Sequence, residues 1–193
     1  MGVGELKAVA DAGPLIHITE IGCLRFMNNF DALYVTDAVW IETVGQGRIS
    51  KTDLSSLPNI ERHSLNRLEV EQFVKKNNLS ELHGGEQECL FVCLNKGISI
   101  LLTDDMAVRT AAKRLHIKPV GSLGIVVLEY KRGAITLQEA ERCMADLYDV
   151  SSLFVSRSIA CSAAARPRTA KAAIRSRGCR GCTSKTTRST RRR

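Results

Sequence analysis

Short apolar runs and amphipathic stretches alternate through most of the chain, and each change of period predicts an element. Leu6 to Ala10 reads as a strand that ends at Asp11, with Ala12-Gly13-Pro14 opening a helix on a proline-compatible turn. That helix breaks at Gly22. Leu33 to Val35 is a second short strand, and Thr36 is placed to cap a helix running from Asp37 to Val44 that carries Glu42. Residues 45–65, punctuated by Gly, Ser and Pro, read as a mobile connection with a short strand near Ile60. A helix is expected from Leu65 to Lys76, and another from Gly84-Gly85 to about Asn95 with Gly97 as its stop.

Ile98 to Leu102 is the strongest strand signal, an unbroken apolar run that predicts a central parallel strand covered on both faces. Past Thr103-Asp104-Asp105, Val108, Ala111, Ala112 and Leu115 share one helical face while Arg109 and Lys113 occupy another. A strand from Ile117 to Val120 and helices near residues 122–131 and 136–148 complete the pattern. The expected fold is therefore α/β, a three-layer α/β/α sandwich around a parallel sheet.

Charge divides the chain. The formal net charge is +8, yet 12 of the 28 Lys and Arg residues fall in residues 156–193, which hold no acid. Residues 1–155 thus carry 16 bases against 20 acids, a net of −4. The basic tail, rich in Ala, Ser, Thr and Arg, lacks the large apolar residues needed to offset ordering entropy and is expected to be disordered. Domain boundaries of 1–155 and 156–193 follow. With seven cysteines in no regular framework, free thiols in a reducing cytoplasmic compartment are expected. Cys179 and Cys182 form a CxxC without the further ligands a zinc site needs. No run approaches the roughly 18 apolar residues of a membrane span.

The candidate chemistry lies in carboxylates. Asp11 and the Asp104-Asp105 pair each follow a predicted strand, so a shared parallel sheet would bring them to one edge, where functional residues of such sheets gather. Glu86 belongs to the first turn of its helix and Glu42 to the helix after the second strand. Converging, they would form an all-oxygen cage suited to Mg²⁺ or Mn²⁺. Each also has a structural alternative: a helix-dipole partner at Glu86, a cap at Asp104 or Asp105, a solvated acid at Glu42, a turn residue at Asp11. Such a cluster repels itself, so at least one member is expected to titrate high. The four histidines, His17, His63, His83 and His116, show no metal-ligand spacing and read as surface or core residues.

Four segments in order, VADAGPLIHITEIG, VTDAVWIETV, HGGEQECLFVCLNKGISILLTDDMAVRTAAKRL and KPVGSLGIVVLEYKRGAIT, resemble the PIN domain, and more narrowly its prokaryotic, toxin-like branch of predicted nucleic-acid-binding proteins. The resemblance covers roughly residues 7–150. It implies a central parallel sheet between helices and hydrolysis of RNA phosphodiesters by a Mg²⁺- or Mn²⁺-dependent endoribonuclease. The family's first acid falls on Asp11 and its second on Glu42. Its third, usually an Asp, falls on Glu86 in preference to Glu88, and its last on Asp105 or Asp104. Arg109 matches a basic position of this branch and, with Lys113, is the expected nucleic-acid contact. The resemblance also allows a toxin–antitoxin pair with an antitoxin-like protein partner, and a homo-oligomer. The alternative is a catalytically silent module that binds nucleic acid or a partner.

Overall fold

A computed structural model of the chain describes residues 5–153, so the basic tail and its CxxC lie outside the described residues. Five parallel strands form one sheet: β1 (Lys7–Ala10), β2 (Ala32–Thr36), β3 (Ile60–His63), β4 (Ile100–Leu102) and β5 (Lys118–Val120). Their order is β3-β2-β1-β4-β5. Among the described residues, eight α-helices flank them: α1 (Ala12–Glu20), α2 (Asp37–Trp40), α3 (Lys51–Ser55), α4 (Arg67–Asn77), α5 (Gly84–Asn95), α6 (Met106–Arg114), α7 (Ser122–Arg132) and α8 (Leu137–Asp149). Helix α5 packs on β1, β2 and β4 with α2 and α4 beside it, while α1, α7 and α8 form a second group. This is the three-layer α/β sandwich that the alternating pattern predicts.

The interior strands read as apolar because both their faces are covered. Ala8, Val9, Leu33, Val35, Leu101 and Leu102 have no exposure at all. Edge strands look different: β3 holds Glu61 and Arg62, and β5 holds Pro119, whose missing N–H is tolerated where one side of a strand has no partner.

Three expectations are corrected. The strand expected over Ile98 to Leu102 begins only at Ile100, because Gly97 takes φ of 66° and the N–H of Ile98 turns back to the Cys93 carbonyl at 2.8 Å to end α5. It pairs on both sides, with β1 and β5, but the middle strand of the five is β1. The helix expected from Asp37 to Val44 is α-helical only to Trp40 and then widens into a π-helical turn, Ile41–Gly45. Buried Thr43 pins that turn, its hydroxyl donating to the carbonyls of Val39 and Trp40 while Arg48 and Ile49 donate to its own carbonyl.

Residues 45–65, expected as a mobile connection with a short strand near Ile60, do hold that strand as β3, but an ordered helix, α3, stands where mobile chain was expected. Burial decides this: Ile49, Leu54 and Leu57 all enter the core. The hydroxyl of Ser50 accepts from the Thr52 N–H at 3.2 Å and so caps α3. Ser50→Ala should lower stability by about 1 kcal/mol in denaturant melts, the usual cost of a lost cap; an unchanged midpoint would mean that packing alone holds this segment.

Candidate active site: an acidic cleft at the strand ends

The C-terminal ends of β1 and β4 lie side by side, since the N–H of Asp11 continues their ladder to the Leu102 carbonyl at 2.9 Å. On this edge an open cleft of about 560 Å³ is lined by Asp11, Gly13, His17, Glu42, His83, Gly85, Glu86, Asp104 and Asp105. All five sequence-selected acids line it, and among the described residues no Lys or Arg does. Glu88 is absent from the lining, and its Oε2 is buried without a hydrogen-bond partner among the described residues. The geometry therefore favours Glu86 of the two.

Three of the acids are oriented by helix N-termini, where backbone N–H groups lack intrahelical partners. Asp11 Oδ1 accepts from the Ala12 N–H at the start of α1 (2.8 Å), and its Oδ2 accepts from the Thr103 hydroxyl (3.0 Å). Glu86, in the first turn of α5, accepts from the His83 N–H at 2.8 Å. Asp105 caps α6 through Oδ1, which takes the N–H groups of Ala107 (2.7 Å) and Val108 (2.9 Å). The dipole and capping alternatives at Glu86 and Asp105 thus hold alongside their place in the cleft. Glu42 reaches the cleft from the π-helical turn and is exposed.

Asp104 is held differently. Its Oδ1 accepts from the Ser122 N–H at the start of α7 (2.8 Å), while its Oδ2 takes the Ser122 hydroxyl and stands 2.9 Å from His17 Nδ1. Gly121 makes this arrangement possible, since a Cβ there would lie 2.6 Å from Asp104 Oδ1. Arg109 folds beneath the same loop, its Nη1 donating to the Thr103 carbonyl at 3.0 Å, and Lys113 is exposed farther along α6.

Burial pushes the Asp11 carboxyl up to about 6, offset in part by the Ala12 and Thr103 donors and reinforced by the charges of Glu86 and Glu42. Glu86 is raised as well, first by burial and then by Asp105 and Glu42. The cleft therefore gathers negative charge at an energetic cost, the condition a bound cation relieves. Among the described residues, no three His, Cys, Asp or Glu side chains stand close enough to hold an ion as they are arranged. By chemistry the donors fit a hard cation, being carboxylate oxygens from four separate elements.

Sequence patterns missed His17, Thr103, Gly121 and Ser122. Spacing alone reads His17 as a surface or core residue, yet it lines the cleft. Gly121 and Ser122 follow β5 on the same sheet edge as Asp11, so the rule that selected the aspartates could have selected them also.

A model of the PIN domain matches residues 7–166, and the chain belongs to that family. No curated protein and no solved structure matches it. Among the described residues, no helix is long and apolar enough to cross a membrane.

Proposed function

We propose that the protein is a metal-dependent endoribonuclease that hydrolyses RNA phosphodiester bonds, with Asp11, Glu42, Glu86 and Asp105 as the residues that would hold Mg²⁺ or Mn²⁺. The observation that carries this reading is the convergence of carboxylates from four elements on one cleft whose lining, among the described residues, holds no Lys or Arg. A cation bound there supplies the charge that lets water attack a phosphodiester and an alkoxide leave. The chain's own part is to orient: Ala12 and Thr103 fix Asp11, His83 fixes Glu86, and the first turn of α6 fixes Asp105. Each bond engages one lone pair and leaves others for a ligand.

The resemblance to the toxin-like branch supports a further step, a toxin restrained by a small antitoxin-like protein in the cytoplasm. A catalytically silent module that binds nucleic acid or a partner is the competing reading. It is favoured by the carboxylates standing apart as arranged. Incubating the purified full chain with mixed RNAs, with Mg²⁺ or Mn²⁺ and then with chelator, separates the two. Cleavage that the chelator stops supports the enzyme, and intact RNA throughout supports the silent module.

Lys113 and Arg109 are the proposed nucleic-acid contacts, four residues apart on α6. Lys113→Ala should weaken RNA binding by a few-fold and reduce the slope of log Kd against log salt by about 1, as expected when one phosphate contact is lost. An unchanged slope removes Lys113 from the interface. Arg109→Ala tests whether its guanidinium, already engaged by Thr103, has a phosphate role as well.

A further inference from the structure

We propose that His17 is the residue through which the cleft recognises the 2′-hydroxyl of an RNA strand, and that Asp104 acts by positioning His17 rather than by holding the metal. This rests on the nuclease reading of the cleft and adds how ribose is distinguished there.

The hydrogen bonds define the pair. A carboxylate can only accept, so in the 2.9 Å contact with Asp104 Oδ2 the proton belongs to His17 Nδ1. The other ring nitrogen, Nε2, has no hydrogen-bond partner among the described residues. His17 is 13% exposed and lines the cleft, so this nitrogen is the one left to meet a ligand. Asp104 is itself fixed at both oxygens by Ser122, through its N–H and its hydroxyl. The base–orienter arrangement spans α1, the β4–α6 loop and the start of α7, and closes in space residues 87 apart in sequence.

The chemistry of the ligand follows from what Nε2 needs. Phosphate oxygens only accept, whereas a hydroxyl both donates and accepts and so can pair with a ring nitrogen in either of its protonation states. The donor a strand repeats at every nucleotide is the ribose 2′-hydroxyl, and it is the group DNA lacks. Metal-assisted hydrolysis does not require that hydroxyl as nucleophile, so discrimination must come from binding it. Asp104, with both oxygens engaged by neighbours, is the less available of the adjacent aspartates, whereas among the described residues Asp105 accepts only through Oδ1.

The test compares an RNA strand with its all-2′-deoxy counterpart, each 5′-labelled, using the full-length protein at pH 8 with Mg²⁺. The variants are His17→Ala, Asp104→Asn and the double variant. Wild type is expected to favour RNA by roughly 10–100-fold in kcat/KM, the range one recognised hydroxyl supports. His17→Ala should lose most of that ratio by slowing RNA cleavage while leaving the deoxy strand within about threefold. Asp104→Asn should behave alike, and the double variant should be no worse than either single one, because the two act as a unit. Mg²⁺ should raise the melting temperature of all three as it does for wild type. Equal losses on both strands, additive effects, or loss of the Mg²⁺ shift in Asp104→Asn would each overturn the proposal. If Asp104→Asn does not fold, His17→Ala decides alone, since it leaves the Ser122 bonds intact. Should wild type cleave neither strand, the nuclease reading fails; Kd values for the two strands then judge His17, with an RNA preference erased in His17→Ala upholding its role and an unaltered preference ending it.

Discussion

Asp11→Asn is expected to melt higher than the wild type in chelator and to lose cleavage altogether. Asp11 is 8% exposed, and its carboxyl titrates near 6 against an ordinary 3.8, so holding it ionised costs the folded state up to about 3 kcal/mol at neutral pH. An asparagine keeps the shape. Its carbonyl can still accept from Ala12, and the Thr103 hydroxyl can turn to accept from its amide. A net gain of about 2 kcal/mol, or roughly 4–8 °C, is expected for a domain of this size. The pH dependence carries the sign. Below about 4 both folded and unfolded chains hold the proton and the variant should match the wild type. Between about 4 and 6 the folded chain holds a proton that the unfolded one has lost, so wild-type stability falls as pH rises, and the advantage of Asn grows to its plateau above 6. A variant that melts lower at pH 7, or a gap independent of pH, would show that the carboxylate is comfortable as placed.

Gly121→Ala is expected to be the most damaging conservative change near the cleft. Its φ of −92° suits any residue, so the effect is purely steric. The added Cβ would sit 2.6 Å from Asp104 Oδ1 and 3.2 Å from Arg109 Nη1, both of which are hydrogen-bonded. Moving Asp104 breaks its bonds to Ser122 or His17, so a loss of about 2–3 kcal/mol is expected, with melting lowered accordingly. Gly13→Ala is the control, because the nearest atoms its Cβ would meet are His17 Cε1 at 3.6 Å, Asp104 Oδ2 at 3.9 Å and Asp104 Cβ at 4.0 Å, all at ordinary contact distance. That variant should melt at or slightly above the wild-type temperature. If the two variants melt alike, the close approach at Gly121 is relieved more easily than its geometry implies.

These two glycines mark the limit of what a single sequence conveys. The alternation of apolar runs and amphipathic stretches was enough to order the strands and helices, and the parallel-sheet rule then placed Asp11 beside Asp104 and Asp105. Glu42 and Glu86 were reachable as acids near the starts of elements on that edge. His17 was not, because nothing local connects it to an aspartate 87 residues away; only the folded sheet does. In the segment 45–65 the strand near Ile60 was legible, but α3 was not, for a related reason. Its Gly, Ser and Pro content describes local backbone freedom, whereas burial of Ile49, Leu54 and Leu57 is a tertiary fact that overrides it. The π-helical turn after Trp40 likewise depends on Arg48 and Ile49 returning to the Thr43 carbonyl. It is also the turn that presents Glu42, and such turns are frequent at functional sites.

Calorimetric titration of the full chain with Mn²⁺ decides whether this acidic cleft is a metal centre. One or two ions per chain should bind to the wild type, with binding absent in Asp11→Asn and weakened at least tenfold in Glu86→Gln. A wild type that binds no Mn²⁺, or an Asp11→Asn variant that binds it equally well, would contradict the account.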